Sequence, residues 1–195
     1  MTRIIAGSAG GRRLAAPKGV RTRPTADRTK EALFSALASW FRTQRQPPDA
    51  QLGGVAVLDL FAGSGAIGLE AASRGAAPVV AVESARPVAA LIARNAAALG
   101  LGVDVVSARA ASYLAGVPRP FDLVFADPPY EVGNGEVEAL LSRLTEGWLG
   151  AGALVVIERS ARDEAFAWPA EFADSWSRRY GETTLYYATT QPAEE

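Results

Sequence analysis

From residue 55 onwards, short apolar runs alternate with longer amphipathic segments. Each run is five or six residues long and rich in Val, Leu and Ala, as expected of a strand buried on both faces. Alternating strands and helices predict a doubly wound, mostly parallel α/β sheet, with helices that close at glycines such as Gly75 and Gly100. The strands are predicted at 55–60, 78–83, 103–107, 121–126 and 153–158, a helix at about 135–144 and an antiparallel hairpin at 175–190.

The residues before this alternation follow another pattern. Two apolar runs flank a basic, glycine-rich turn within residues 3–17, which predicts a small hairpin. Pro24 and Thr25 are helix-start signals, with Thr25 as the predicted N-cap, and one apolar stripe then extends to Phe41. Residues 44–54 have the composition of a linker. The predicted organisation is an N-terminal extension at 1–45, a sheet domain at 54–190 and a tail at 191–195.

Charge and composition narrow the chemistry. Residues 1–30 carry a net charge of +7 and the remainder −8, so a basic extension precedes an acidic body and favours a polyanionic partner. The chain has neither cysteine nor histidine, which excludes disulfides, thiolate metal sites, cysteine nucleophiles and Ser-His triads. No apolar run is long enough to span a membrane. We expect a cytoplasmic monomer without a metal and without a membrane segment.

The loop after the first predicted strand is a candidate cofactor site. It reads GSGAIG from Gly63, and Glu83 follows 20 residues later at the tip of the second strand, where a carboxylate accepts hydrogen bonds from ribose. A dinucleotide and S-adenosylmethionine both suit this layout. Asp59, just before the loop, would repel a pyrophosphate but attract the ammonium of a methionyl group, although it could also bond only to loop amides. This carboxylate favours S-adenosylmethionine.

The fourth predicted strand ends in Asp127-Pro128-Pro129-Tyr130. An amine on a nucleobase is a poor nucleophile because its lone pair is delocalised into the ring. Two acceptors, the Asp127 carboxylate and the Pro128 carbonyl, would take the two amine hydrogens and direct the lone pair at a methyl donor. The prolines stiffen the turn, and the Tyr130 ring would stack on an unpaired or flipped-out base. An ordinary Asp-Pro turn with a surface tyrosine remains the alternative.

From about residue 3 to residue 189 the chain resembles the bacterial ribosomal RNA small-subunit methyltransferase D family. The resemblance rests on RIIAGSAGGRRL, RPTADRTKEALF, LDLFAGSGAIGLEAASRGA, FDLVFADPPY and GWLGAGALVVIE. It implies a seven-stranded, Rossmann-like sheet of the class I S-adenosylmethionine-dependent type. It also implies methylation of guanine N2 in 16S rRNA, with the assembling small ribosomal subunit as partner.

The resemblance also implies residue roles. Cofactor contacts are expected from the strand tips and the glycine loop, and Pro24 and Thr25 are expected to close over the cofactor. Arg109 stands where this family reads the adenine amino group with Asp or Asn, and an arginine side chain only donates. Either backbone groups of Arg109 and Ala110 read the adenine or the register differs, with Arg109 stacking or facing phosphate instead. The expected cofactor set is Asp59, Phe61, Ala62, Gly63, Gly65, Glu83, Ser84, Arg109, Ala110, Pro24 and Thr25. The expected RNA set is Arg3, Arg12, Arg13, Arg23, Arg28 and Lys30.

Three other functions remain open on the sequence. The turn at Asp127 also suits adenine N6 or cytosine N4 in DNA or RNA, although the chain has no extra domain for reading a DNA sequence. The GSGAIG loop also suits a nicotinamide-dependent oxidoreductase, which would need a proton donor that the fourth strand supplies only as Asp127. A non-catalytic RNA-binding protein could retain the same fold.

Overall fold

The structure is a computed structural model that describes residues 3–16 and 24–192, with side chains from residue 28 onwards in the second range. Its centre is a seven-stranded sheet in the order β3-β2-β1-β4-β5-β7-β6. The first five strands are parallel, and β7 is antiparallel to both β5 and β6. The predicted fold class is therefore confirmed. The strands are β1 (Val57–Leu60), β2 (Val79–Val82), β3 (Asp104–Val106), β4 (Phe121–Ala126), β5 (Leu149–Ser160), β6 (Phe172–Tyr180) and β7 (Thr183–Thr190).

Helices cover both faces of the sheet. They are α1 (Pro24–Trp40), α2 (Ala66–Ser73), α3 (Arg86–Leu99), α4 (Ala110–Leu114) and α5 (Asn134–Thr145), with a 3₁₀ turn at Pro48–Ala50. Because strand side chains alternate, Phe125 packs against α1 while its neighbour Ala126 packs against α5. No helix in the described part of the chain is long and apolar enough to cross a membrane.

Two local predictions need correction. Helix α1 begins at Pro24, so Thr25 lies within its first turn rather than at the N-cap. Proline suits this first position because its φ is already helical and its missing N–H would have no partner there. The short helix α4 was not predicted, since five residues are too few to display a helical period.

The basic N-terminal loop, residues 3–16, is docked on α2 and α3. A single bridge between Arg3 and Arg13 closes it, so it is a hairpin-like loop without regular strands. The fully buried carboxylate of Glu70 in α2 accepts hydrogen bonds from the amides of Ile5 (2.7 Å) and Ala6 (3.0 Å). In α3, the Asn95 side chain pairs with both backbone groups of Ala15. The loop is thus held through its backbone groups, and Arg3, Arg12 and Arg13 are exposed.

Candidate active site

The carboxyl edge of the sheet brings three acidic residues together. Strand pairs Leu60–Val82, Leu60–Ala126 and Ala126–Ile157 are the last in register on β1, β2, β4 and β5. The residues that follow them stand side by side along this edge: Glu83, Phe61, Asp127 and Glu158. The strand order reverses between β1 and β4 at this edge, and ligands bind at such a switch point in doubly wound sheets.

Two cavities open at this edge. The larger is a cleft of about 1360 Å³ that runs from the glycine loop, past the Asp127 turn, to the start of β7. The smaller, of about 210 Å³, lies between α1 and the sheet and includes Thr29 and Asp59. Both cavities share four lining residues: Phe61, Gly63, Asp127 and Glu158. One ligand that fills the cleft can therefore reach the tips of β1, β4 and β5.

Glu83 fixes the glycine loop. Its Oε2 accepts a hydrogen bond from the Gly63 amide at 2.9 Å, and its Oε1 accepts one from the Ala85 amide at 2.7 Å. A carboxylate has further lone pairs, so Glu83 can still accept from ribose hydroxyls in the cleft. Phe61, between β1 and the loop, has a φ of 66°, an uncommon conformation for a bulky residue.

Asp59 lies under the loop, where it is 2% exposed. Its Oδ2 accepts a hydrogen bond from the Gly68 amide at 2.9 Å, which holds the start of α2 against β1. Burial raises the pKa of Asp59 to about 7, with smaller contributions from the charges of Asp127 and Glu83. The bond to an amide of the GSGAIG segment, the alternative named above, is thus present in the structure, and Asp59 also lines the smaller cavity.

The Asp127-Pro-Pro-Tyr130 turn forms one wall of the cleft. Pro128 is buried, whereas the Tyr130 side chain is 82% exposed and presents an open ring. The Pro129 carbonyl accepts a hydrogen bond from the Val132 amide at 2.9 Å, which tightens the turn. Neither the Asp127 carboxyl nor the Pro128 carbonyl has a hydrogen-bond partner within residues 3–16 and 24–192. Two acceptors therefore remain available at the same wall.

The carboxyl groups of Asp127 and Glu158 share an environment that disfavours charge. Asp127 opens onto the cleft, yet the surrounding protein limits its hydration and raises its pKa to about 6, against the opposing positive charge of Arg159. Burial, followed by the negative charge of Asp127, raises the pKa of Glu158 to about 8. Over the described ranges of the chain, no group of three or more acidic side chains is arranged to hold a metal ion.

The expected cofactor residues divide between the two cavities. The cleft is lined by Phe61, Gly63, Glu83, Ser84, Arg109 and Ala110, and the smaller cavity by Asp59 and Ala62. Gly65 lines neither cavity. It begins α2 with a φ of 76°, and a Cβ there would lie 2.8 Å from Cγ2 of Ile92, so packing explains this glycine. The side chains of Pro24 and Thr25 lie outside the described residues.

The residues expected to contact RNA differ in their exposure to solvent. Arg3, Arg12, Arg13 and Arg28 are exposed, and Arg23 lies outside the described residues. The expectation for Lys30 is wrong: this residue is 5% exposed, and its Nζ lies 3.4 Å from Glu70 and donates to the Arg3 carbonyl at 2.6 Å. A buried lysine paired in this way supports the docked N-terminal loop and does not face a polyanion.

Sequence reasoning missed three residues at the site. Thr29, one helical turn after Thr25, lines the smaller cavity from α1. Glu158 and Arg159 lie at the tip of β5 and line the cleft. A signal for Glu158 was present, because it ends a buried apolar run as Glu83 and Asp127 do. Only the strand register shows that it stands beside Asp127.

Comparison with known proteins identifies the family. A family model described as "Conserved hypothetical protein 95" matches residues 2–189. The ribosomal RNA small subunit methyltransferase D of Escherichia coli K12 is 39% identical over 173 residues, which cover 88% of this chain and 81% of that protein. The chain belongs to the ribosomal RNA small subunit methyltransferase D family.

Solved structures agree with this membership. Escherichia coli yhhF superposes with a TM-score of 0.81 at 30% identity, covering 98% of this chain and 99% of that one. The Thermus thermophilus 16S rRNA N2 G1207 methyltransferase RsmC, solved with AdoMet and guanosine, has a TM-score of 0.66 at 21% identity. It matches 89% of this chain and 45% of its own length. The second likeness concerns the fold alone, which is that of class I methyltransferases.

Proposed function

We propose that this chain transfers a methyl group from S-adenosylmethionine to the exocyclic N2 of a guanine in 16S rRNA, within an assembling small ribosomal subunit. One observation carries the proposal: two acceptors without a hydrogen-bond partner among the described residues, the Asp127 carboxyl and the Pro128 carbonyl, belong to residues that line the same cleft as Gly63. Family membership supports rRNA as the substrate, and the chemistry of the acceptors supports an amine as the reacting group.

The residues present fit S-adenosylmethionine, which supplies an electrophilic methyl group on a sulfonium when bound. Glu83 is held by two backbone amides with lone pairs left for ribose hydroxyls. Arg109 and Ala110 line the cleft beyond Glu83, where an adenine would lie. Asp59 and Gly63 line the smaller cavity, on the side suited to the methionyl group. The acidic edge favours the positive charges of the ammonium and the sulfonium.

The turn at Asp127 prepares the amine. Asp127 and the Pro128 carbonyl each accept one amine hydrogen, which directs the nitrogen lone pair towards the methyl group. The negative charge of Asp127 offsets the positive charge that develops on nitrogen. The methylated amine then loses its proton readily, so the lack of histidine in this chain is no obstacle. Tyr130 stacks on the base and keeps it in line.

The exposed arginines of the docked N-terminal loop suit the RNA backbone. Arg3, Arg12 and Arg13 lie on a loop whose own backbone is anchored to α2 and α3, so their positions are set relative to the sheet. A guanidinium pairs with phosphate in bidentate geometry. We assign these residues to RNA positioning, while the base itself must be unpaired to reach Asp127.

Mapping of methylated nucleotides tests the proposal. Small subunits from cells with and without this protein are digested and analysed by mass spectrometry, with methyl transfer to naked rRNA and to duplex DNA measured in parallel. N2-methylguanine that depends on the protein is the expected result. Methylation of adenine N6 or cytosine N4 instead would reject the assignment to guanine, and binding of NAD(H) rather than S-adenosylhomocysteine in calorimetry would reject the methyltransferase chemistry.

Variants at Asp127 test the mechanism. Asp127→Ala should lower turnover by about a hundredfold or more while the affinity for S-adenosylhomocysteine is retained, because the carboxylate acts on the acceptor amine. Asp127→Asn retains one acceptor oxygen without the charge and should lie between the two. Normal turnover in Asp127→Ala would show that the two-acceptor mechanism is wrong.

A further inference from the structure

A second carboxyl group stands beside Asp127 and has no partner in the mechanism above. Strands β4 and β5 are parallel, and Ala126 pairs with Ile157. The next residues, Asp127 and Glu158, are therefore neighbours on adjacent strands. Adjacent strands are about 4.8 Å apart, which is close enough for both side chains to reach one edge of a single base.

The two carboxyl groups also face the same way. Phe125 and Val156 belong to the core cluster beneath α1, whereas Ala126 and Ile157 belong to the cluster on the opposite face. Alternation along each strand then directs residues 127 and 158 to the α1 side. In agreement with this, both Asp127 and Glu158 line both cavities at the edge.

Glu158 is half-buried and available. Within the part of the chain that the structure describes, its carboxyl group makes no hydrogen bond and no ion pair. Its neighbour Arg159 is instead engaged elsewhere: Nη1 donates to the Val132 carbonyl, and Nε lies 3.1 Å from Asp163. A carboxyl group that is partly removed from water and left without a partner suits a polar ligand atom.

Guanine differs from adenine and cytosine in the ring nitrogen beside the exocyclic amine. In guanine, N2 is flanked by ring N1, which carries a hydrogen. In adenine and cytosine, the ring nitrogen beside the exocyclic amine carries none and can only accept. An ionised carboxyl group next to Asp127 would therefore gain a hydrogen bond with guanine and would face a lone pair with the other two.

We propose that Glu158 is the specificity-determining residue of the acceptor site: it accepts a hydrogen bond from guanine N1–H while Asp127 accepts one from the N2 amine. This inference rests on the proposed function. Hydrogen bonding to N1–H favours the ionised form of Glu158, so it offsets the effect of burial, which raises the pKa of the residue to about 8 in the protein alone.

The test compares guanine with 2-aminopurine, which retains the 2-amino group but lacks N1–H and adds no bulk. Small subunits are reconstituted with 16S rRNA that carries either base at the nucleotide mapped as described above. Transfer of labelled methyl from S-adenosylmethionine gives kcat/KM for each. The ratio between the bases, compared between wild type and variant, cancels the intrinsic difference in amine reactivity.

Glu158→Ala should lower kcat/KM on guanine by about tenfold or more and lower the guanine preference by a similar factor. Glu158→Gln retains an acceptor oxygen, so it should retain most of the preference. Glu136→Ala removes another carboxyl group that lines the cleft, and its guanine preference should match that of wild type. Calorimetry with S-adenosylhomocysteine reports whether each variant is folded, and Glu158→Leu, which fills the same space, replaces Glu158→Ala if the latter does not fold.

An unchanged guanine preference in Glu158→Ala or Glu158→Leu would overturn the inference. This failure is distinct from failure of the proposed function. If wild-type protein yields no N2-methylguanine at all, the proposed function is wrong; if it does and the preference does not depend on residue 158, only the role of Glu158 is wrong.

Discussion

The Arg159 guanidinium donates a hydrogen bond from Nη1 to the Val132 carbonyl at 2.9 Å, which ties the tip of β5 to the loop that carries Asp127 and Tyr130. Arg159 is 7% exposed and also lies 3.1 Å, through Nε, from Asp163. Its positive charge lowers the pKa of Asp127 against the effect of burial. One side chain therefore both anchors the acceptor turn and favours the ionised form of its carboxyl group.

Substitution of Arg159 should separate these two effects. Arg159→Gln removes the charge, so the pKa of Asp127 should rise and the acid limb of the pH–rate profile should move to higher pH. Arg159→Lys retains the charge but loses the planar donor to Val132, so kcat should fall with little movement of the limb. The measurement is kcat/KM for methyl transfer between pH 5 and pH 8.5. An acid limb that stays in place in Arg159→Gln would contradict the electrostatic role.

The wild-type pH profile should itself report Asp127. The carboxyl group accepts an amine hydrogen only when ionised, and its pKa of about 6 lies well above the usual range for aspartate. At saturating RNA, where the proposed hydrogen bond from guanine N1–H keeps Glu158 ionised, kcat should therefore rise as the pH increases from 5 to 7, with an apparent midpoint near 6. Steady-state methyl transfer in buffers of constant ionic strength gives the profile. A rate that falls over this interval would mean that Asp127 acts in its protonated form.

Glu83 should contribute to cofactor affinity. Glu83→Ala removes both the acceptor for ribose and the bonds to the amides of Gly63 and Ala85, so binding of S-adenosylhomocysteine should weaken by about 1–3 kcal/mol. Ser84→Ala removes only an exposed hydroxyl that donates to Glu83 at 3.3 Å, and it should cost much less. Isothermal titration calorimetry distinguishes the two. Equal losses in both variants would contradict a specific contribution of the Glu83 carboxylate to cofactor affinity.

Gly7 should be essential for docking of the N-terminal loop. Its φ is +87°, and a Cβ there would lie 1.9 Å from the Ser73 carbonyl oxygen in α2. Gly11 has a similar φ of +79° with nothing within 4 Å, so it provides a matched control for backbone strain alone. Gly11→Ala should cost about 1 kcal/mol of unfolding free energy, and Gly7→Ala clearly more. Urea denaturation measures both, and equal costs would mean that the loop moves away from Ser73 without penalty.

Charge reversal in the docked loop should weaken RNA binding. Arg12→Glu replaces an exposed cation on the loop, so affinity for small-subunit RNA should fall and its dependence on salt should become shallower. Arg45→Glu makes the same charge change at an exposed position beyond α1 and controls for net charge. Filter binding at several salt concentrations gives both slopes. An identical dependence of affinity on salt in the two variants would show that the docked loop does not contact the RNA.

Much of the framework follows from the sequence, because its signals are local. The buried strands read as apolar runs, and the glycine loop and the Asp127 turn each lie within a few residues of a strand end. Helix α4 was missed since a single short turn has no period to recognise. The N-cap was predicted at Thr25, which lies inside the first helical turn, because both proline and threonine signal a helix start.

Only the tertiary structure showed which residues that are distant in the chain contact one another. By composition, Lys30 is one of the basic residues expected to contact RNA. In the structure it is buried and paired with Glu70, so its charge stabilises the docked N-terminal loop. Glu158 looks like one more strand-end residue until the register of β4 and β5 places it beside Asp127. Local patterns specify elements because neighbouring residues share one backbone path. Which side chains meet across elements depends on register and packing, and these are set by the whole core.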